Sequence, residues 1–150
     1  MTVDFVLKKM PSLRVASIKW KSAYNDARIQ KRFEEVEKWA KARGLKTGRW
    51  VFREPAEQVF DTGIEVRGRA RSQGRVKVQT LPAATVASVV FDPNVVAPRV
   101  VYHGLADWLR WQRKSKEIQS VGAYREVYSG NPWRDKKAWS RTEIQYVVRK

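Results

Sequence analysis

The chain has 150 residues and carries 31 Lys+Arg against 15 Asp+Glu, a formal net charge of +16. It has no cysteine and a single histidine, His103, which excludes disulfide frameworks, thiolate metal centres and thiol catalysis, and leaves a Ser–His–Asp triad only one imidazole to use. Hydrophobic residues make up 43%, enough for a core, so the length fits one domain spanning residues 1–150. The positive charge is spread evenly: residues 1–73 hold 17 basic and 9 acidic side chains and residues 74–150 hold 14 and 6, which is +8 in each half. An even spread reads first as a solubilising outer surface and second as a phosphate-binding face. No apolar run approaches about 18 residues and no signal-peptide pattern opens the chain, so no membrane association and a cytoplasmic location are expected.

In chain order, alternation predicts strands at Phe5–Met10 and Arg14–Trp20, separated by Pro11-Ser12. A helix follows from about Asn25 to Arg43, with Asn25 or Asp26 as its cap, Gly44 as its stop, and Ile29, Phe33, Val36 and Trp39 or Ala40 on one face. Strands are expected near Arg49–Arg53 and Ile64–Ala70, and Arg71-Ser72-Gln73-Gly74 has turn composition. The same order then returns. Strands are predicted at Val76–Thr80 and Val86–Phe91, a helix over Pro98–Arg113, and strands at Ala123–Tyr128 and Arg141–Val148. Trp39, Trp108 and Trp111 are read as core residues of the two helices, and His103 as a solvated one.

The two halves align. Met10-Pro-Ser-Leu-Arg-Val-Ala-Ser-Ile18 matches Leu81-Pro-Ala-Ala-Thr-Val-Ala-Ser-Val89 at an offset of 71. The helix positions match at 72, Phe52 matches Tyr128 at 76, and Glu65 matches Glu143 at 78. The predicted fold is therefore α+β: a duplicated β-β-α-β-β unit of about 70 residues, with repeats near 4–70 and 75–148. The joined sheets would carry both helices on one face, leaving the opposite, concave face as a central ligand cleft on the pseudo-twofold axis.

Leu81-Pro82 with Val86-Ala87, then Arg125-Glu-Val-Tyr128 and Thr142-Glu-Ile-Gln145, in this order within a duplicated chain, resemble the GyrI-like small-molecule-binding domains. That group includes gyrase-inhibitory proteins and the effector-binding domains of multidrug-sensing regulators. The resemblance covers Val6 to Val148. It implies a two-fold repeat around a cleft lined by aromatics and holding a buried glutamate, which in the regulators binds lipophilic cations. Some stand-alone members are similar but open the cyclopropane ring of DNA-alkylating natural products by hydrolysis. With no helix-turn-helix ahead of the repeat, the chain is expected to resemble these stand-alone members.

Glu126 is the first candidate. Tyr124, Glu126 and Tyr128 share one face of a strand, placing a carboxylate between two phenols, while Trp50 and Phe52 occupy the matching positions of the first half. Aromatic faces attract cations and a carboxylate supplies an ionic anchor or a general base. Trp133 and Trp139, in the segment Ser129–Ser140, are candidate cleft walls. Glu143 and Glu65 form a second candidate pair that would either share the cleft or pair with Arg67 and Arg141.

Three functions follow. The first is binding of a hydrophobic or cationic small molecule through Glu126, Tyr124, Tyr128, Trp50, Phe52, Trp133, Trp139 and Glu143. The second is cyclopropane hydrolysis with Glu126 as base and Tyr128 or Tyr124 as proton donor. The third is nucleic-acid binding along Arg67, Arg69, Arg71, Arg75 and Lys77. No phosphate loop or dinucleotide motif is present, and no cofactor, no metal and a monomer are expected.

Overall fold

The computed structural model describes residues 3–150. The chain runs through β1 (Val6–Met10), β2 (Leu13–Lys21), α1 (Asp26–Ala42), β3 (Lys46–Ala56), β4 (Val59–Arg67), β5 (Lys77–Leu81) and β6 (Ala84–Phe91). It continues through α2 (Pro98–Lys114), β7 (Ser120–Tyr128), the short α3 (Lys136–Ser140) and β8 (Thr142–Arg149). All strand pairs are antiparallel, and they form one curled eight-stranded sheet in the order β1-β6-β8-β7-β3-β4-β2-β5. The fold is α+β.

Local chemistry explains most boundaries. The Asn25 side chain accepts the Arg28 N–H at 3.1 Å and so caps α1, and Gly44 leaves the helix at φ +65°. Pro98 opens α2, where the absence of an N–H costs nothing. Strands β3 and β4 run further toward each other than the predicted Arg49–Arg53 and Ile64–Ala70. They meet in a tight turn at Gln58, which adopts φ 59°. Pro55 does not end β3 because it falls in an irregularity of the ladder between Arg53 and Ala56, where no strand N–H is required. The predicted loop Ser129–Ser140 contains α3, capped by the Asp135 side chain on the Lys137 N–H at 2.9 Å.

Each long helix covers its own half of one sheet face. Helix α1 buries Ile29, Phe33, Val36 and Ala40 against Ala16, Ile18, Trp50, Phe60 and Ile64. Helix α2 buries Val101, Leu105 and Leu109 against Ala87, Val89, Phe91, Ile144 and Val148. Trp108 joins this second core beside Phe5. Trp111, expected in the core, is 64% exposed, because it lies round the helix from the Val101–Leu105–Leu109 stripe.

The opposite face is not an open cleft, contrary to the pattern-based expectation. In β2 and β6, four consecutive residues are buried, so both faces of these strands are covered. The curl folds that face in on itself. Leu13, Val15, Val51 and Leu81 pack together there, beside a buried polar ladder. Lys8 Nζ lies 2.7 Å from the Glu143 carboxylate, to which Ser88 Oγ and Gln145 Nε2 donate at 2.7 and 2.6 Å. Arg125 Nε donates to Gln145 Oε1 at 2.7 Å, Arg53 pairs with Asp61, and Gln79 Nε2 donates to Asp61 and to Ser17. Gly63 sits within this layer because a Cβ there would come 3.1 Å from Ser17 Cβ. Burial, followed by the facing Arg53, pushes the pKa of Arg125 down.

Among the described residues no helix is long and apolar enough to cross a membrane.

Burial alone would raise the pKa of Glu143, but the hydrogen bonds from Lys8, Gln145 and Ser88 outweigh it and hold the carboxyl below its ordinary 4.5. A depressed folded pKa gives stability that is complete above the unfolded value and lost as pH falls through the folded one. Acid unfolding followed by circular dichroism should therefore show a stability loss beginning below about pH 4.5 that is shallower in Glu143→Gln. An identical acid limb in the variant would contradict this.

Candidate functional site

Between the two helices, over the middle of the sheet, lies a cavity of about 600 Å³. Its floor is Phe52 from β3, Tyr124, Glu126 and Tyr128 from β7, and Thr142, Ile144 and Tyr146 from β8. One wall is Tyr24 with Asp26, Ile29 and Phe33 of α1; the other is Pro98 and Tyr102 of α2. Phe91, Pro93, Pro132, Trp133 and Trp139 complete the rim. All five tyrosines of the chain line this one space. None of its 31 Lys and Arg residues does.

Alternation along β7 directs Glu126 inward while Arg125 and Val127 face the opposite layer. Tyr102 donates to Glu126 Oε1 at 2.7 Å from α2, and Tyr128 donates to Oε2 at 2.7 Å from two residues along the same strand. Both carboxylate oxygens are thus held by phenols, and no ion pair reaches Glu126 among the described residues. Two further acids take tyrosines of the same cavity: Tyr124 donates to Glu54 at 2.8 Å and Tyr24 to Asp26 at 2.9 Å. Tyr102 and Tyr124 meet edge to face, with centroids 5.8 Å apart, and Tyr124 lies 6.0 Å from Tyr146.

Burial, and then the negative charge of Glu126, pushes the pKa of Tyr102 and Tyr128 well above the usual 10; burial and then the Asp26 and Glu54 hydrogen bonds do the same for Tyr24 and Tyr124. Tyr146 moves the same way, through burial and Glu126.

The sequence-predicted residues divide clearly. Glu126, Tyr124, Tyr128, Phe52, Trp133 and Trp139 meet at the cavity. Trp50 does not line it: it is 3% exposed beneath Phe33, with the rings stacked at 5.0 Å, and supports Trp133 from below at 6.4 Å. Glu143 points to the other face, where Lys8, Ser88 and Gln145 occupy it, as its opposite parity to Ile144 requires. Glu65 also stays out of the cavity and shares no ion pair with Arg67 or Arg141; its Oε1 accepts the Arg49 N–H at 3.2 Å, where β3 bulges. The Arg67–Lys77 residues proposed for nucleic acid are exposed, and Arg75 is engaged by Glu35 at 3.1 Å.

Tyr102, Tyr24 and Asp26 were not anticipated. Tyr102 stands three and seven residues before Leu105 and Leu109, which marks it as a face residue of α2, but only topology reveals that this face overlooks Glu126.

Residues 4–149 match the GyrI-like small molecule binding domain family. The chain belongs to this family. The GyrI-like domain superposes on the crystal structure of the EcmrR C-terminal domain with a TM-score of 0.74 at 19% identity, covering 100% of this chain and 99% of that one. It also matches EcmrR in a cryo-EM EcmrR–DNA complex, at a TM-score of 0.75 and 20% identity. There the GyrI-like domain covers 99% of its own length and spans 58% of the other chain. A hydrolase encoded by lin2189 from Listeria innocua is similar at a TM-score of 0.58 and 10% identity, covering 96% of this chain and 91% of that one. At these identities the likeness is one of fold. No curated protein matches the sequence.

Because the tyrosine pKa values are raised, the neutral phenols contribute stability below the unfolded value of 10 that disappears as pH climbs through the folded values. Ultraviolet titration should show little tyrosinate near pH 10 while the fold persists. Glu126→Gln should bring ionisation of Tyr102 and Tyr128 to lower pH. Normal titration of all five phenols in the folded wild type would refute the site geometry.

Proposed function

We propose that this domain binds lipophilic, aromatic cations in the cavity between α1 and α2, with Glu126 as the ionic anchor. The observation that carries the reading is the segregation of charge: a chain of net charge +16 lines its aromatic cavity with Glu126 and Asp26 and with no basic side chain. A cation entering there loses its hydration but gains the faces of tyrosines and a half-buried carboxylate oriented by Tyr102 and Tyr128. The volume suits a drug-sized molecule. One solved structure of similar fold, SAV2435 at a TM-score of 0.50 and 14% identity over 97% of this chain and 94% of that one, is bound to tetraphenylphosphonium. It supplies a suitable probe.

The cavity is read as the meeting point of two repeats. Supporting this, the ladders of the two halves have matching registers. Val6↔Ser88 of β1 and β6 corresponds to Ser17↔Lys77 of β2 and β5 at an offset of 71, and the ladder shift at Thr47/Trp50 corresponds to the one at Val121/Tyr124 at 74. In this register Glu126 answers to Phe52, its own cross-strand partner, rather than to Trp50. Each half thus gives the centre a different chemistry, an aromatic face from one and an acid from the other. The domain is read as a monomeric cytoplasmic protein, consistent with its charged surface and the absence of cysteine.

Cyclopropane hydrolysis is the second reading, with Glu126 as base toward water. It is less well served by the geometry, because of the two phenols expected as donors Tyr128 spends its proton on Glu126 and Tyr124 on Glu54, and neither is free to polarise a leaving oxygen.

Tetraphenylphosphonium should quench tryptophan fluorescence saturably through Trp133 and Trp139, and Glu126→Gln should weaken binding about tenfold or more, the loss of roughly one charge-assisted contact. Absence of saturable quenching, or equal affinity in the variant, would count against the proposal. Ring-opened product beyond one equivalent from a cyclopropane alkylator would favour the hydrolase instead.

A further inference from the structure

The indole of Trp111 serves neither the core nor the cavity. At 64% exposure it is the most exposed tryptophan of the chain. Immediately beside it, Arg110, Arg113, Lys114 and Lys116 line an open groove of about 620 Å³ together with Ile118 and Gln119. Helical spacing puts Trp111 one turn from Lys114. Arg110 engages Asp107 at 3.4 Å, whereas Arg113, Lys114 and Lys116 have no ion pair among the described residues.

Cations at a helix C-terminus are favoured by the helix dipole, and that accounts for Arg113 and Lys114. It does not account for Lys116 beyond the helix, for a groove without an acid in its lining, or for an exposed indole one helical turn from Lys114. A lone exposed aromatic is ordinary on a protein surface; one helical turn from a groove of cations with no acid in its lining, it adds a flat apolar face to a positive one. A ligand that uses both must be anionic to match the groove and must offer a flat apolar face to match the ring.

We propose that the C-terminal end of α2 is a binding surface for single-stranded nucleic acid, with the groove cations on successive phosphates and Trp111 stacked on an unpaired base. A base and its phosphate supply the flat face and the negative charge in one repeating unit. An acidic peptide supplies the charge without the face, and a duplex hides its base faces in the stack. This surface lies outside the cavity, and the proposal is independent of what the cavity holds.

The test is fluorescence anisotropy of a labelled oligo-dT at several salt concentrations. Trp111→Ala should weaken binding about tenfold and leave the salt slope unchanged, as loss of one stacked base requires. The triple variant Arg113→Gln/Lys114→Gln/Lys116→Gln should lower the slope of log K against log salt by about 0.7 per lost phosphate contact. The triple Arg67→Gln/Arg69→Gln/Arg71→Gln removes the same charge from exposed positions in the other half and should change affinity far less. Thermal midpoints should match the wild type in all three, since every substituted side chain is exposed. Equal effects of the two triple variants, or an unchanged affinity for Trp111→Ala, would overturn the proposal. So would competition by polyglutamate as effective as by unlabelled oligo-dT, which would make the groove an acidic-peptide site.

Discussion

A carboxylate held half-buried without a cation is the constraint on which this site depends. Glu126 sits at the centre of the sheet, where an unpaired ion is expensive, and is kept there by two phenol hydrogen bonds from different elements. Tyr128 comes from its own strand; Tyr102 reaches it from α2 and ties that helix to the sheet. The remaining tyrosines are arranged around the same charge, and burial together with that charge keeps them protonated. A site so built has donors for its anion and still lacks a counter-ion, which is the state in which an incoming organic cation gains most.

The sheet makes this possible by sorting charge between its two faces. On one face the acids Glu126 and Asp26 stand among aromatics. On the other, the basic groups Lys8, Arg53 and Arg125 meet Glu143, Asp61 and Gln145 in a largely paired ladder, in which Asp61 Oδ1 and Arg125 Nη2 are left without a hydrogen-bond partner. Strand alternation performs the sorting: Arg125 and Glu126 are adjacent in sequence and face opposite layers. A register slip of one residue would place Arg125 in the cavity and Glu126 in the ladder, so binding chemistry and sheet pairing are specified together.

Period-two and helical patterns made the strands, both helices and the inward face of Tyr124, Glu126 and Tyr128 legible from sequence, since these depend on local geometry alone. Trp133 and Trp139 were legible as tryptophans of the segment between β7 and β8, although Trp139 lies in the short α3 and not in a loop. The position of the cleft was not. Whether the helix-covered or the opposite face is open depends on how the sheet curls, which follows from burial on both sides of β2 and β6 and leaves little trace beyond their unbroken apolar runs. Tyr102 was missed for the same reason, its partner lying 24 residues away across the fold. Trp50 and Glu143 were misplaced in opposite ways: Trp50 has the right face but is overlaid by Phe33, while Glu143 has the wrong face despite acidic chemistry that suited the cleft. Trp111 reads as a core residue from its place in the helix alone, but it lies off the Val101–Leu105–Leu109 stripe and is exposed.

The central claim is that the cavity selects its ligand by positive charge and does so through Glu126. Calorimetric titration with 1-methyl-4-phenylpyridinium and with its uncharged counterpart 4-phenylpyridine at pH 8 isolates that charge in two molecules of nearly equal shape. The account predicts that the cation binds at least tenfold more tightly and that Glu126→Gln abolishes the difference. Equal affinity for the two compounds in the wild type, or a preference that survives in the variant, would contradict it.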